Sequence, residues 1–252
     1  MINYFKKYKV ASFIALLACT FLGCSKDDYF IDGGKSNGEF KGSMLDLLKS
    51  KPGPLDTIAA IVELSGLKET FEKDTFTFFA PTDLSIKQTI LILNREFLFP
   101  LGKDTVKKLD DISPALWKKY LTRYMMKGTN RLKDYPQVDF DIRSVYPGLN
   151  TYNYSGADLF NVGGVFNDQN KVRYIGYRQL AYSYVPDPSK PLDNWVTAAV
   201  STSDLKPNNG IVHVLAFTSL STSSTIGALP ASTRADYFGF GFDFMSDVEQ
   251  SK

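Results

Sequence analysis

Hydrophobic positions in the first half of the chain recur with a helical period. Met44, Leu45, Leu47 and Leu48 follow Ser43, a good N-cap residue, and predict a short helix. Pro52-Gly53-Pro54 breaks the chain. Pro54 is placed to open a second helix carrying Leu55, Ile58, Ile61, Val62 and Leu64, which ends at Gly66. The β-branched and aromatic run at 75–79 predicts a buried strand. After Asp83, the residues Ile86, Ile90, Leu93 and Phe97 share one helical face. Ser113-Pro114 starts a further helix, with Trp117, Tyr120, Leu121 and Tyr124 spaced i, i+3, i+4 and i+7.

The second half turns to alternation. Residues 172–184 put Val172, Tyr174, Leu180, Tyr182 and Tyr184 on one parity, with Gly176 marking a bulge. Residues 195–202 and 210–217 predict two more strands, joined through the turn-forming run Lys206-Pro207-Asn208-Asn209-Gly210. Helices first and antiparallel strands later predict an α+β domain rather than a doubly wound sheet. Past Ser221 a Ser/Thr-rich stretch marks the domain's exit. The segment 223–252 contains Tyr237-Phe238-Gly239-Phe240-Gly241-Phe242-Asp243-Phe244, too aromatic for an idle linker. It is expected either to add a strand or to dock on a partner.

The N-terminus follows a different pattern. Lys6, Lys7 and Lys9 precede thirteen uncharged residues, 10–22. That length suits a signal peptide and falls short of the ~20 residues a membrane span needs. Gly23-Cys24 closes the segment like a lipobox, although Phe21 stands where leucine is usual. Cys24-Ser25-Lys26-Asp27-Asp28 resembles the export signal of surface lipoproteins in Bacteroidota. The resemblance implies a leader at 1–23, a lipid on Cys24, and Ser25, Lys26, Asp27 and Asp28 directing the protein to the outer face of the outer membrane. The plainer readings are an ordinary cleaved leader with a chance cysteine, and a soluble linker beginning at Lys26. Residues 24–42, rich in Gly, Ser, Lys and Asp, read as a flexible tether.

Cysteine and charge narrow the chemistry. Cys19 lies in the leader and Cys24 would carry the lipid, which removes thiolate-metal, disulfide and cysteine-nucleophile chemistry from the mature domain. Loss of the leader's three lysines takes the formal charge from +2 to −1, and no basic run remains to grip phosphates, so nucleic acid is not an expected partner. A serine triad needs a histidine base, but the sole histidine, His213, falls in a predicted core strand and no G-x-S-x-G elbow occurs; a zinc site lacks the several His, Cys or clustered acids it needs, and no P-loop or EF-hand is present. Neither a cofactor nor a metal is expected, and catalysis is not expected either.

Two segments resemble the signatures of the fasciclin-domain family. Thr75-Phe76-Thr77-Phe78-Phe79-Ala80-Pro81-Thr82-Asp83 is similar to the first, a hydrophobic strand ending in Phe-Ala-Pro-Thr-Asp. Asn209-Gly210-Ile211-Val212-His213-Val214-Leu215 is similar to the second. Between them, residues 113–128 look like the family's central helix and the strand after it. Local chemistry agrees: Pro81 ends a strand, Thr82 or Asp83 can cap the next helix, and Asn209-Gly210 suits a positive-φ turn. His213 shares a strand face with Ile211 and Leu215, as a core residue would. The resemblance implies that it ties the two signatures together by hydrogen bonding. It covers about 43–222 and implies helices packed beside a small antiparallel sandwich or wedge of about seven strands.

The departures concern recognition. The family's Tyr-His pair, linked with adhesion, is matched here by Arg123-Tyr124. Asp204-Leu205 matches an Asp-aliphatic pair implicated in receptor binding in some animal members. Residues 139–193 exceed what the family's core needs, which suggests an insertion. Its tyrosines, including Tyr174, Tyr177, Tyr182 and Tyr184, could stack on sugars, or could fill a sheet core. The resemblance implies a lipid-anchored surface module for adhesion to a protein or matrix ligand. The alternatives are a glycan-binding accessory to an outer-membrane transport complex, and an envelope scaffold docked through its tail.

Overall fold

The computed structural model describes residues 38–51, 53–216 and 240–252. The leader, Cys24, the export signal Ser25, Lys26, Asp27 and Asp28, and residues 217–239 of the exit and tail lie outside the described residues. The described residues between Gly38 and Lys252 belong to one compact unit.

Helix α1 (Met44–Lys49) is held by a reciprocal cap in which Ser43 Oγ accepts from Asp46 N–H and Asp46 accepts from Ser43 N–H at 2.8 Å. All four of its apolar residues are buried. Helices α2 (Asp56–Leu64) and α3 (Lys68–Lys73) follow, and α2 begins two residues later than Pro54. Gly66 takes the left-handed conformation (φ 71°) that ends α2. After strand β1 (Phe76–Ala80), helix α4 (Asp83–Ile92) runs into a π-helical stretch at Leu93–Leu98. Helix α5 (Pro114–Leu121) is followed by β2 (Met125–Lys127).

The remaining strands are β3 (Leu149–Tyr152), β4 (Leu159–Phe166), β5 (Arg178–Val185), β6 (Val196–Leu205) and β7 (Gly210–Leu215). Among the described residues, seven strands form one sheet in the order β2-β1-β7-β6-β5-β4-β3. The expected strand number stands, but the sheet is mixed: β1 and β7 run parallel, pairing Phe79 with His213. The sheet also bends back on itself, because Met126 bridges Asn153 and Tyr154 N–H donates to the Met125 carbonyl at 2.8 Å. Residues 139–193 supply β3, β4 and β5 to this sheet. Two further expectations are corrected. Residues 172–177 belong to a loop, and the strand begins at Arg178. The end of the tail is neither a strand nor an outward docking element: it forms helix α6 (Phe242–Ser251) against the domain's own helices.

One sheet face meets the helices in the main core, where Phe79, Tyr182 and Phe160 stack at 4.1 and 4.9 Å between centroids. The C-terminal segment completes this core, as Phe240 and Phe244 pack on Trp117 at 5.5 and 5.3 Å. The other face carries a smaller cluster of Val138, Val165, Ala181 and Ala199, flanked by Phe140 and Trp195.

Candidate functional site

The signature residues are spent on internal ties. Asn209 Oδ1 accepts from Met44 N–H at 2.7 Å, while its Nδ2 donates to the carbonyls of Phe71 and Asp74 at 3.0 and 2.9 Å. One side chain thus fastens β7 to α1, α3 and the start of β1. Gly210 is not at positive φ, contrary to expectation. A Cβ there would come within 2.2 Å of the Phe76 carbonyl oxygen, so glycine is required by the close approach of β1. The left-handed residue of this hairpin is Asp204 (φ 64°).

His213 is fully buried. Its Nδ1 accepts from Asp204 N–H at 3.2 Å, which leaves Nε2 to donate to the Asn130 carbonyl at 3.0 Å. Burial lowers its pKa, so the neutral ring is favoured. Its contact with the first signature is a ring contact with Phe79 at 5.0 Å, not a hydrogen bond. The polar link is indirect: Asn130 N–H donates to Thr77 Oγ1, which donates to the Gly128 carbonyl. With both nitrogens engaged and no solvent access, His213 is poorly placed as a general base.

Pro81 ends β1 as expected. Thr82 occupies the N-cap position of α4 without a capping hydrogen bond to the backbone. Asp83 caps a different helix, accepting from Thr57 N–H at 3.0 Å at the start of α2. Burial, together with its neighbour Asp56, pushes the Asp83 carboxyl up to about 6. Asp56 is held below its usual value, first by its hydrogen bond with Asp83.

The expected contact residues do not form an outward surface. Tyr124 is buried, and Arg123 is almost so, bonding Asp158 at 3.2 Å and Asp243 at 2.6 Å. Asp204 accepts from Leu132 N–H at 2.8 Å, and Leu205 packs against the core. The four tyrosines do not make a row either. Tyr182 is inside, its hydroxyl donating to the Arg123 carbonyl. Tyr184 lies half-buried near the Arg123 guanidinium, Tyr177 is exposed, and Tyr174 sits in the β4–β5 loop. The parity expectation holds within the strand, but Leu180, Tyr182 and Tyr184 face the core.

What sequence reasoning missed is a cleft of about 70 Å³ over the second sheet face, lined by residues 138–141, 165, 166 and 168, and by Arg173 and Tyr174. Tyr174 (φ 66°) is fixed by its hydroxyl on Asp139 at 2.8 Å and its N–H on Asp168 at 3.1 Å. Arg173 also reaches Asp139, at 3.0 Å. Among the described residues, no group of three or more His, Cys, Asp or Glu could hold a metal ion. No described helix is long and apolar enough to cross a membrane.

No curated protein matches this sequence. Among solved structures, it is similar to the FAS1 domain pair of the insect cell adhesion molecule fasciclin I. That likeness has 17% identity and a TM-score of 0.44, covering 69% of this chain and 49% of the other, so the chain spans about half the length of that relative. The family model for the fasciclin domain matches residues 53–217, which hold both signatures and every strand of the sheet. By that match the chain belongs to the fasciclin-domain family.

Proposed function

We propose that the protein is a lipid-anchored binding module, held at the outer face of a bacterial outer membrane through Cys24. Fasciclin domains are cell-adhesion type modules and generally non-catalytic. The observation that carries the non-catalytic reading is the use of the signature side chains: Asn209, His213, Thr77 and Asp83 are all satisfied within the fold. The sequence from Lys6 to Asp28 supports anchoring. The tether expected at 24–42 is shorter than that, because its last residues are docked on the domain: Glu39 pairs with Lys206, and Phe40 N–H donates to the Lys206 carbonyl at 2.9 Å, which leaves the stretch before Gly38 for that role. Many such copies on one membrane would convert weak single-site contacts into firm adhesion to a protein or matrix ligand by raising effective concentration. The scaffold alternative is less well supported, because Phe240 and Phe244 of the tail are consumed in the core.

The test is the state of the mature N-terminus. Mass spectrometry of the protein from a host with an outer membrane should find acyl chains on Cys24, and Cys24→Ala should abolish them. An unmodified Cys24, or a leader cleaved elsewhere, would overturn the anchored reading.

A further inference from the structure

We infer that the cleft beside Tyr174 binds one residue of a neutral saccharide; this rests on the surface-module reading and gives it a ligand class. The cleft is built, not incidental. Val138 N–H donates to the Gly164 carbonyl at 3.0 Å, and Gly164 N–H donates to the Pro136 carbonyl at 2.8 Å. Gly163 lets this segment lie close, since a Cβ there would meet the Val138 side chain at 2.5 Å. The opposite wall is the loop between β4 and β5, whose base is closed by Asn167 N–H on the Tyr177 carbonyl and by Gly176 N–H on the Asn167 carbonyl. At its tip, Asn170 and Lys171 both take positive φ within the mutually bonded Gln169–Val172 turn, the geometry of a type I′ hairpin.

The lining matches a sugar better than an ion. Phe140, Phe166 and Tyr174 bring aromatic surface to the cleft; Arg178 lies over the Phe166 ring at 4.3 Å and Arg173 over the Tyr174 ring at 4.8 Å, so a sugar's C–H groups pack against the ring surface these guanidinium groups leave open. The Asp141 and Asp168 carboxylates accept hydrogen bonds, and the Arg173 guanidinium donates them. Asp139 is already occupied by Tyr174, Arg173 and the Asp141 N–H, so it positions the wall. The Asp141 side chain has no partner among the described residues, and Asp168 has taken up a single N–H. A sugar hydroxyl donates and accepts at once, which suits this mixture. An anion would face two carboxylates, and a lone cation would lie beside Arg173. At about 70 Å³ the cleft is smaller than the ~300–1,000 Å³ of drug-sized pockets, so it engages no more than one sugar residue, from one side, and binds weakly.

The experiment titrates the mature chain, residues 24–252 in detergent, with glucose, galactose, mannose and their neutral tetramers by calorimetry. Heparin and a lysine-rich peptide provide the charged comparison. At least one neutral sugar should bind. Asp141→Ala and Tyr174→Ala should each weaken it tenfold or more, with Tyr177→Ala unchanged. Asp141 is exposed, its side chain bonds to no described group, and its N–H bond to Asp139 survives the substitution, so its variant keeps the fold and an unchanged melting temperature verifies this. No neutral saccharide binding, binding indifferent to both cleft variants, or saturation by the charged probes alone would overturn the inference. Those results leave the anchoring test untouched: a protein lipidated on Cys24 that binds no sugar sinks only the cleft, and an unmodified Cys24 sinks only the anchor.

Discussion

Arg123 Nη1 lies 2.6 Å from the Asp243 carboxylate, so a nearly buried cation in the central part of the chain grips the first turn of the C-terminal helix. The same guanidinium bonds Asp158 and lies over the rings of Tyr120 and Tyr184 at 4.6 and 5.0 Å. A residue pair expected at a binding surface instead joins α5, the loop before β4 and α6. Arg123→Ala should destabilise the protein by about 3 kcal/mol, because it strips a buried charge network of its common partner. Asp243→Ala should cost less than about 1 kcal/mol, since that carboxylate is half exposed and Asp158 remains. Urea unfolding of the two variants checks the order.

Asn209 offers a second test. Asn209→Ala removes hydrogen bonds to Met44, Phe71 and Asp74 together and should cost about 3 kcal/mol. Asn209→Asp should recover only part of this, because a carboxylate can accept from Met44 N–H but cannot donate to the two carbonyls. Chemical denaturation of both variants measures the difference.

Stability should respond to Asp83 in a fixed direction. Its pKa in the folded protein, about 6, lies above the ~3.9 of an unfolded aspartate. The native state therefore favours the protonated form, and the contribution is complete below ~3.9 and is lost as pH rises through about 6. Asp83→Asn keeps an acceptor for Thr57 N–H and removes the charge facing Asp56. Its melting temperature relative to the parent should therefore rise between pH 4 and pH 7.5, and thermal melts across that range read the difference.

Tyrosines 177 and 182 should separate cleanly. Tyr182→Phe leaves the Arg123 carbonyl without its hydroxyl partner and should cost about 1–2 kcal/mol. Tyr177→Ala, at an exposed position, should stay within about 0.5 kcal/mol. Equilibrium unfolding of both variants tests whether the second tyrosine is core and the first is surface.

The parts of the fold that were legible in the sequence are those whose signals are local. Ser43, the apolar spacing of α1, α2 and α5, and Gly66 all act over a few residues, and both signatures fell on the strands they predicted. Strand β4 was not legible. Its Leu-Phe-Asn-Val-Gly-Gly-Val-Phe run carries an asparagine and two glycines that weaken a strand in isolation. Tertiary contacts account for two of them: Asn161 donates to the Pro147 carbonyl and to Asn150, and Gly163 makes room for Val138. Parity placed Leu180, Tyr182 and Tyr184 together but could not say that their face was the buried one. Nor could the role of Asp83 be read, since it caps a helix 26 residues earlier. The cleft was hidden for a related reason. Its lining comes from three separate segments and depends on the left-handed conformation of Tyr174, a residue type that rarely adopts it.

The most direct measurement for the account as a whole is antibody labelling of intact cells. Cells would express the parent protein, Cys24→Ala, or a variant with Lys26, Asp27 and Asp28 all changed to Ala. The account predicts bright labelling of intact cells by the parent, loss of membrane attachment in Cys24→Ala, and retention of the triple variant in the membrane but hidden from antibody until the cells are opened. Equal labelling of the parent and the triple variant would contradict the export signal. A parent protein detected only after the cells are opened would contradict a surface binding module altogether.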